Sequence, residues 1–100
     1  GIENLSIPDI DICAVVSNLI GHAYSLAIQA ESGRFVSALV LLKDGQLVIN
    51  VRGTCIKEPT DQQEKSLGMQ IVEELSEKYK GSVLDTYDKG VYSYTLSMKL

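Results

Sequence analysis

"DIDICAVVSNLIGHAYSLAIQA", residues 9–30, decides how this chain folds. Ile12, Val16, Leu19, Ile20, Ala23, Leu26, Ala27 and Ala30 recur three and four positions apart, the spacing of one face of an α-helix. Pro8 with Asp9 or Asp11 as N-cap starts this helix, and Ser32 and Gly33 end it. Two polar side chains, Asn18 and His22, stand one turn apart within it, and His22 is the only histidine of the chain. Polar groups on a largely apolar helix need hydrogen-bonding partners. Those partners are either other protein groups or a ligand.

Downstream, "RFVSALVLL" (34–42) is apolar and β-branched, and Asp44-Gly45 is a two-residue hairpin turn that leads into "QLVINV" (46–51). From Arg52 to Lys65 the pattern dissolves into polar residues around Pro59, a loop of the length that is often functional. A second amphipathic helix is expected over Leu67–Tyr79. Leu67, Ile71, Val72, Leu75 and Tyr79 form its buried stripe, Glu73, Glu74, Glu77 and Lys78 its wet face, and Gly81 its C′ stop. "SVLDTYDKGVYSYTLSMKL" (82–100) closes the chain as a second hairpin, with β-favouring Val91, Tyr92, Tyr94, Thr95 and Leu96. The order helix, hairpin, loop, helix, hairpin implies an α+β fold: a two-layer sandwich with helices on one face of a mostly antiparallel sheet.

One hundred residues form one domain, 1–100, with room for a single core. A formal net charge of −4 argues against a nucleic-acid partner, because phosphate binding calls for a basic face. No uninterrupted apolar run is long enough to cross a membrane. Cys13 and Cys55 form neither a metal spacing nor a disulfide framework. Cys13 reads as a small core residue and Cys55 as a free thiol in a loop, a pattern suited to a reducing compartment. Asp9 and Asp11 read as caps, and no general acid–base pair or nucleophile–base pair is indicated. His22 is not set in the motif of a phospho-accepting histidine. Gly1 in place of Met is compatible with a piece of a larger protein.

The arrangement resembles the GHKL superfamily of ATP-binding domains, and most of all the catalytic domain of peptide-responsive sensor histidine kinases. "DIDICAVVSNLIGHAYSLA" (9–27) is similar to that family's first motif, a stretch such as D-L-x-x-x-x-x-N-L-L-D-N-A-I-E-A. "KSLGMQIVEELSEKYKGSVLDTYDKGVYSYTLSMKL" (65–100) is similar to its closing G-x-G-L helix and the two strands that follow. "FVSALVLLKDGQLVINV" (35–51) fits the two strands between.

The resemblance implies a Bergerat-type fold and a cleft for ATP with Mg²⁺ between the helices and a lid loop. It implies a histidine-containing dimerisation domain elsewhere in the parent protein, and a cytoplasmic position in a membrane-anchored sensor with no membrane contact of its own. Asn18 matches the first asparagine of the motif. His22 stands where the Mg²⁺-ligating asparagine is expected, and Mg²⁺ prefers oxygen ligands. Gly53 falls where an adenine-reading Asp or Asn is expected. Ser66 replaces the first glycine of the last motif, whereas Gly68 keeps the second. Lys57 and Lys65 could reach phosphates from the lid. Departures at the positions that read metal, base and phosphate imply a weakened nucleotide site. The alternative is a non-catalytic interaction or regulatory module with the same fold, a pseudokinase in effect.

Overall fold

The computed structural model describes residues 7–57 and 66–100. The elements run α1 (Asp9–Ala27), β1 (Val36–Lys43), β2 (Gln46–Thr54), α2 (Leu67–Lys78), β3 (Ser82–Asp88) and β4 (Val91–Lys99). The strands form one antiparallel sheet in the order β1-β2-β4-β3, covered on one face by the two helices. This is the α+β sandwich that the element order implies.

Both hairpins turn on chemistry visible in the chain. Asp44 (φ 53°) and Gly45 (φ 74°) close the Lys43–Gln46 pair. Lys89 (φ 49°) and Gly90 (φ 80°) close Asp88–Val91. Two consecutive positive φ angles match the right-handed twist of the flanking strands. The register places Leu47 opposite Met98, Ile49 opposite Leu96, Val51 opposite Tyr94 and Gly53 opposite Tyr92. These residues face the helices and form the core with Ile12, Val15, Leu19, Ala23 and Val72. On the other face, Asn50 Nδ2 donates to Ser93 Oγ at 3.0 Å and Thr95 Oγ1 at 2.9 Å. Strand β2 continues through Arg52 to Thr54, so the loop begins later than the polar composition suggests.

The N-cap of α1 is Pro8, without a side-chain cap; Asp9 and Asp11 lie in the first turn, where they complement the helix dipole. Asp11 accepts hydrogen bonds from the Tyr79 phenol and, at 3.5 Å, from Lys78 Nζ, tying the start of α1 to the end of α2. The Tyr79 hydrogen bond, helped by the Lys78 charge, holds the Asp11 carboxyl below its ordinary pKa. The helix ends at Ala27, before Ser32. Val15 takes a core position, while Ile20 is 38% exposed. Cys13 does not take the core position expected of it, whereas Cys55 is the expected free thiol beyond the end of β2. Cys13 is exposed on the outer side of α1. Cys55 is buried: its N–H bonds Gly90 O at 2.9 Å and its thiol donates to Lys57 O at 2.9 Å. With 19 residues and two acids, α1 also has the length and hydropathy of a membrane span. Its Ile12, Val15, Leu19, Ala23 and Ala27 are nevertheless buried within this domain.

Leu67 is not part of the α2 stripe; it lies in the first turn and is 73% exposed. At the other end of α2 the left-handed residue is Lys80 (φ 52°), with Gly81 next in line. Lys80 N–H reaches Glu77 O at 3.2 Å and Gly81 N–H reaches Ser76 O at 2.7 Å, the paired bonds of a Schellman stop. Gly81 is required for space instead. A Cβ there would meet Ser76 Oγ at 2.7 Å and the Ser97 carbonyl oxygen at 2.9 Å. Gly81→Ala is therefore expected to lower stability by about 1–3 kcal/mol. Lys80→Gly is expected to raise it by up to about 1 kcal/mol by removing the left-handed penalty. Urea unfolding of the two variants measures both signs.

Candidate functional site

The flank of α1 that carries Asn18 and His22 faces α2 at one turn and the sheet at the next. Asn18 Nδ2 donates to the Ala14 carbonyl at 2.7 Å, so the amide is anchored along its own helix. Its Oδ1 then lies against α2. A Cβ built on Gly68 would sit 2.6 Å from Asn18 Oδ1 and 3.3 Å from its Cγ. Gly68 thus lets the backbone of α2 approach Asn18 as no other residue could. Two positions earlier, Ser66 caps α2, its hydroxyl accepting from Met69 N–H at 3.2 Å. One of the amides at this helix start, the kind of group that binds phosphate in other proteins, is therefore satisfied by the chain itself.

His22, half-buried, meets Tyr92 edge-on, with ring centroids 6.2 Å apart and planes at 77°. Burial lowers its pKa and favours the neutral imidazole. Tyr92 pairs with Gly53 across the sheet. A Cβ on Gly53 would lie 2.7 Å from the Phe35 carbonyl oxygen, which already accepts Thr54 N–H at 3.0 Å. Backbone therefore fills the space in which a side chain at position 53 would begin.

Of the five candidate positions, Asn18, Ser66 and Gly68 gather at the α1–α2 contact, while His22 and Gly53 flank Tyr92 on the sheet. Lys57 is exposed just beyond β2, and Lys65 lies outside the described residues. Reasoning from sequence missed Tyr92 and the Phe35 carbonyl. The Tyr92 phenol donates to Asp85 Oδ2 at 3.0 Å, and burial, then Asp85, push its pKa well up. The alternation of Tyr92, Tyr94, Leu96 and Met98 signals that Tyr92 points inward. Nothing in the residue pattern marks the path of the Phe35 backbone. The donors do not fit Mg²⁺ held as the family resemblance implies: Asn18 offers one amide oxygen, and His22 offers nitrogen. Among the described residues no three His, Cys, Asp or Glu side chains cluster as a metal site.

Gly68→Ala is expected to cost about 1–3 kcal/mol through overlap with Asn18. Asn18→Ala added to it removes Oδ1 and Cγ, and should restore most of that loss. A double-mutant cycle in urea is expected to show a coupling of at least about 0.5 kcal/mol, and strict additivity would contradict the contact. His22 gives a second expectation. A base whose folded pKa is depressed binds fewer protons folded than unfolded, so its stability contribution is full above 6.5 and declines as the pH falls below that value. His22→Gln should remove this decline, as read from denaturation midpoints at a series of pH values between neutrality and the carboxylate range.

No protein-family model matches the chain, and no curated protein sequence matches it significantly. Solved structures do. The histidine kinase domain of the blue-light-activated histidine kinase EL346 from Erythrobacter litoralis superposes with a TM-score of 0.77 at 21% identity, over 90% of this chain and 43% of that one. The nucleotide-free catalytic domain of histidine kinase ThkA gives 0.71 at 11% identity, over 90% of this chain and 66% of that one. The histidine kinase AdeS of Acinetobacter baumannii gives 0.67 at 16% identity, over 90% of this chain and 46% of that one. The chain thus spans less than two thirds of the length of each neighbour. Two helices on a four-stranded antiparallel sheet give it the fold of histidine kinase catalytic domains.

Proposed function

We propose that the chain is the ATP-binding domain of a two-component sensor histidine kinase of the peptide-responsive type, with a weakened nucleotide site. The observation that supports this reading is the contact of Asn18 with Gly68. It brings the asparagine of the first motif against the glycine of the last, inside a fold shared with histidine kinase catalytic domains. In such a protein Asn18 and the start of α2 are the phosphate-facing elements, and the phospho-accepting histidine belongs to a separate dimerisation domain. The departures at His22, Gly53 and Ser66 remove a metal ligand, a base acceptor and a close backbone approach. Each loss is worth about 1–3 kcal/mol if the group is buried. Together they move a micromolar site to about millimolar affinity or weaker.

A second reading, a non-catalytic regulatory module, is favoured by one specific feature. Gly53 has no room for a side chain beside the Phe35 carbonyl, so the base-reading group is sterically excluded as well as missing. Under this reading, α1 and α2 are kept for their mutual packing and bind no nucleotide.

Titration with a fluorescent ATP analogue, with and without Mg²⁺, separates the two. The weakened kinase domain binds at about millimolar analogue, and His22→Asn strengthens Mg²⁺-dependent binding about tenfold. Absence of saturable binding in both proteins, with native far-UV circular dichroism, overturns the kinase reading in favour of the module. Gly53→Asn is expected to destabilise the fold and to restore no binding.

A further inference from the structure

The outer face of α1 carries no charge. Ile10, Cys13, Ile20, Tyr24 and Ile28 are all exposed there, with Ile10 at 77% and Tyr24 at 61%. A helix that buries one face in a core normally presents charged and polar residues on the other. Here the polar residues of that face are small: the Ser17 hydroxyl is turned back onto Ala14 O at 3.3 Å, and Gly21 faces open space. At its C-terminal end the face runs on to Phe35, around a cavity of about 230 Å³ between α1 and the start of β1. Charge appears only at the two ends. Asp9 opens the helix. Arg34 sits beyond its end, where its Nε donates to the Ala30 carbonyl.

We propose that this face is the contact between two copies of the chain, with α1 packed antiparallel on α1 about a two-fold axis. The face is complementary to itself in that direction. Ile10 meets Ile28 at each end, Tyr24 lies over the small Ala14, and Ser17 beside Gly21 lets the helices approach closely near the axis. The ends match in sign, with Asp9 of each copy beside Arg34 of the other. Asp11 takes no part, since Tyr79 and Lys78 of its own chain hold it. Glu31 is the acid nearest Arg34 in sequence and opposes the match, so Glu31→Gln should tighten the pair. A symmetric interface repeats each favourable contact twice, which suits a patch of this size. The exposed strand β1 is the poorer self-contact. Fully overlapped antiparallel pairing of its edge would place Arg34 of each copy near Lys43 of the other. Asn18 and His22 lie on the adjacent flank of α1 and stay clear of the contact.

Sedimentation equilibrium of the 100-residue chain tests this. The mass is expected to rise from monomer to dimer over about 10–500 µM, as mass action requires for a modest interface. Ile20→Glu should keep the protein monomeric with an unchanged far-UV circular dichroism spectrum, whereas Leu84→Glu on β3 should leave the dimer intact. Asp9→Arg and Arg34→Asp should each weaken it about fivefold or more, and their combination should restore it. A monomer at every concentration overturns the proposal, and so does a dimer that survives Ile20→Glu. Binding of α1 to phosphatidylcholine–phosphatidylglycerol vesicles, abolished by Ile20→Glu and without self-association, overturns it in favour of a membrane contact.

Discussion

Where Asn18 faces Gly68, α1 and α2 meet closely, and the packing of the domain is built around that meeting point. Helix axes normally stand 8–10 Å apart, the distance set by the side chains between them. Here one helix contributes a glycine and the other an amide whose nitrogen is already bonded to Ala14. A second tie at the far end, from Asp11 to Tyr79 and Lys78, fixes the angle between the helices. Held at both ends, the pair lies flat on the inner face of β2 and β4, and the start of α2 is brought beside the polar flank of α1.

That geometry answers the question raised by Asn18 and His22. Each polar group has a protein partner or neighbour: Ala14 O and the α2 backbone for Asn18, the Tyr92 ring for His22. The polar groups at the start of α2 and above Gly53 are likewise occupied by the chain itself. Ser66 bonds the amide of Met69 at the helix start, and the Phe35 carbonyl occupies the space above Gly53. These contacts stabilise the fold by leaving those polar groups bonded within the chain.

The fold was largely legible because its strongest determinants are local. Asp44-Gly45 admits the positive φ angles of a tight hairpin, and the alternation in "QLVINV" fixes which face of β2 is buried. The stripe of α2 and the stop near Gly81 follow from spacing and composition, although the left-handed residue proved to be Lys80. The errors lie where tertiary contact overrides pattern. Apolar spacing in α1 fits two stripes, since the outer face is nearly as apolar as the inner, and Ile20 and Cys13 belong to the outer one. Leu67 fits the α2 period but precedes the part of the helix that meets the sheet. At the candidate site, residue identities are readable, whereas the clash above Gly53 depends on the path of the Phe35 backbone and has no local signature.

An isotope-edited NOESY spectrum of the uniformly labelled protein reports on the Asn18–Gly68 contact. Strong cross-peaks are expected between the Gly68 α-protons and the Asn18 β-protons. The Asn18 side-chain amide, held by the Ala14 carbonyl, is expected to exchange slowly. Gly68 α-protons without an Asn18 partner, with that amide exchanging at the rate of a solvated group, would contradict the contact.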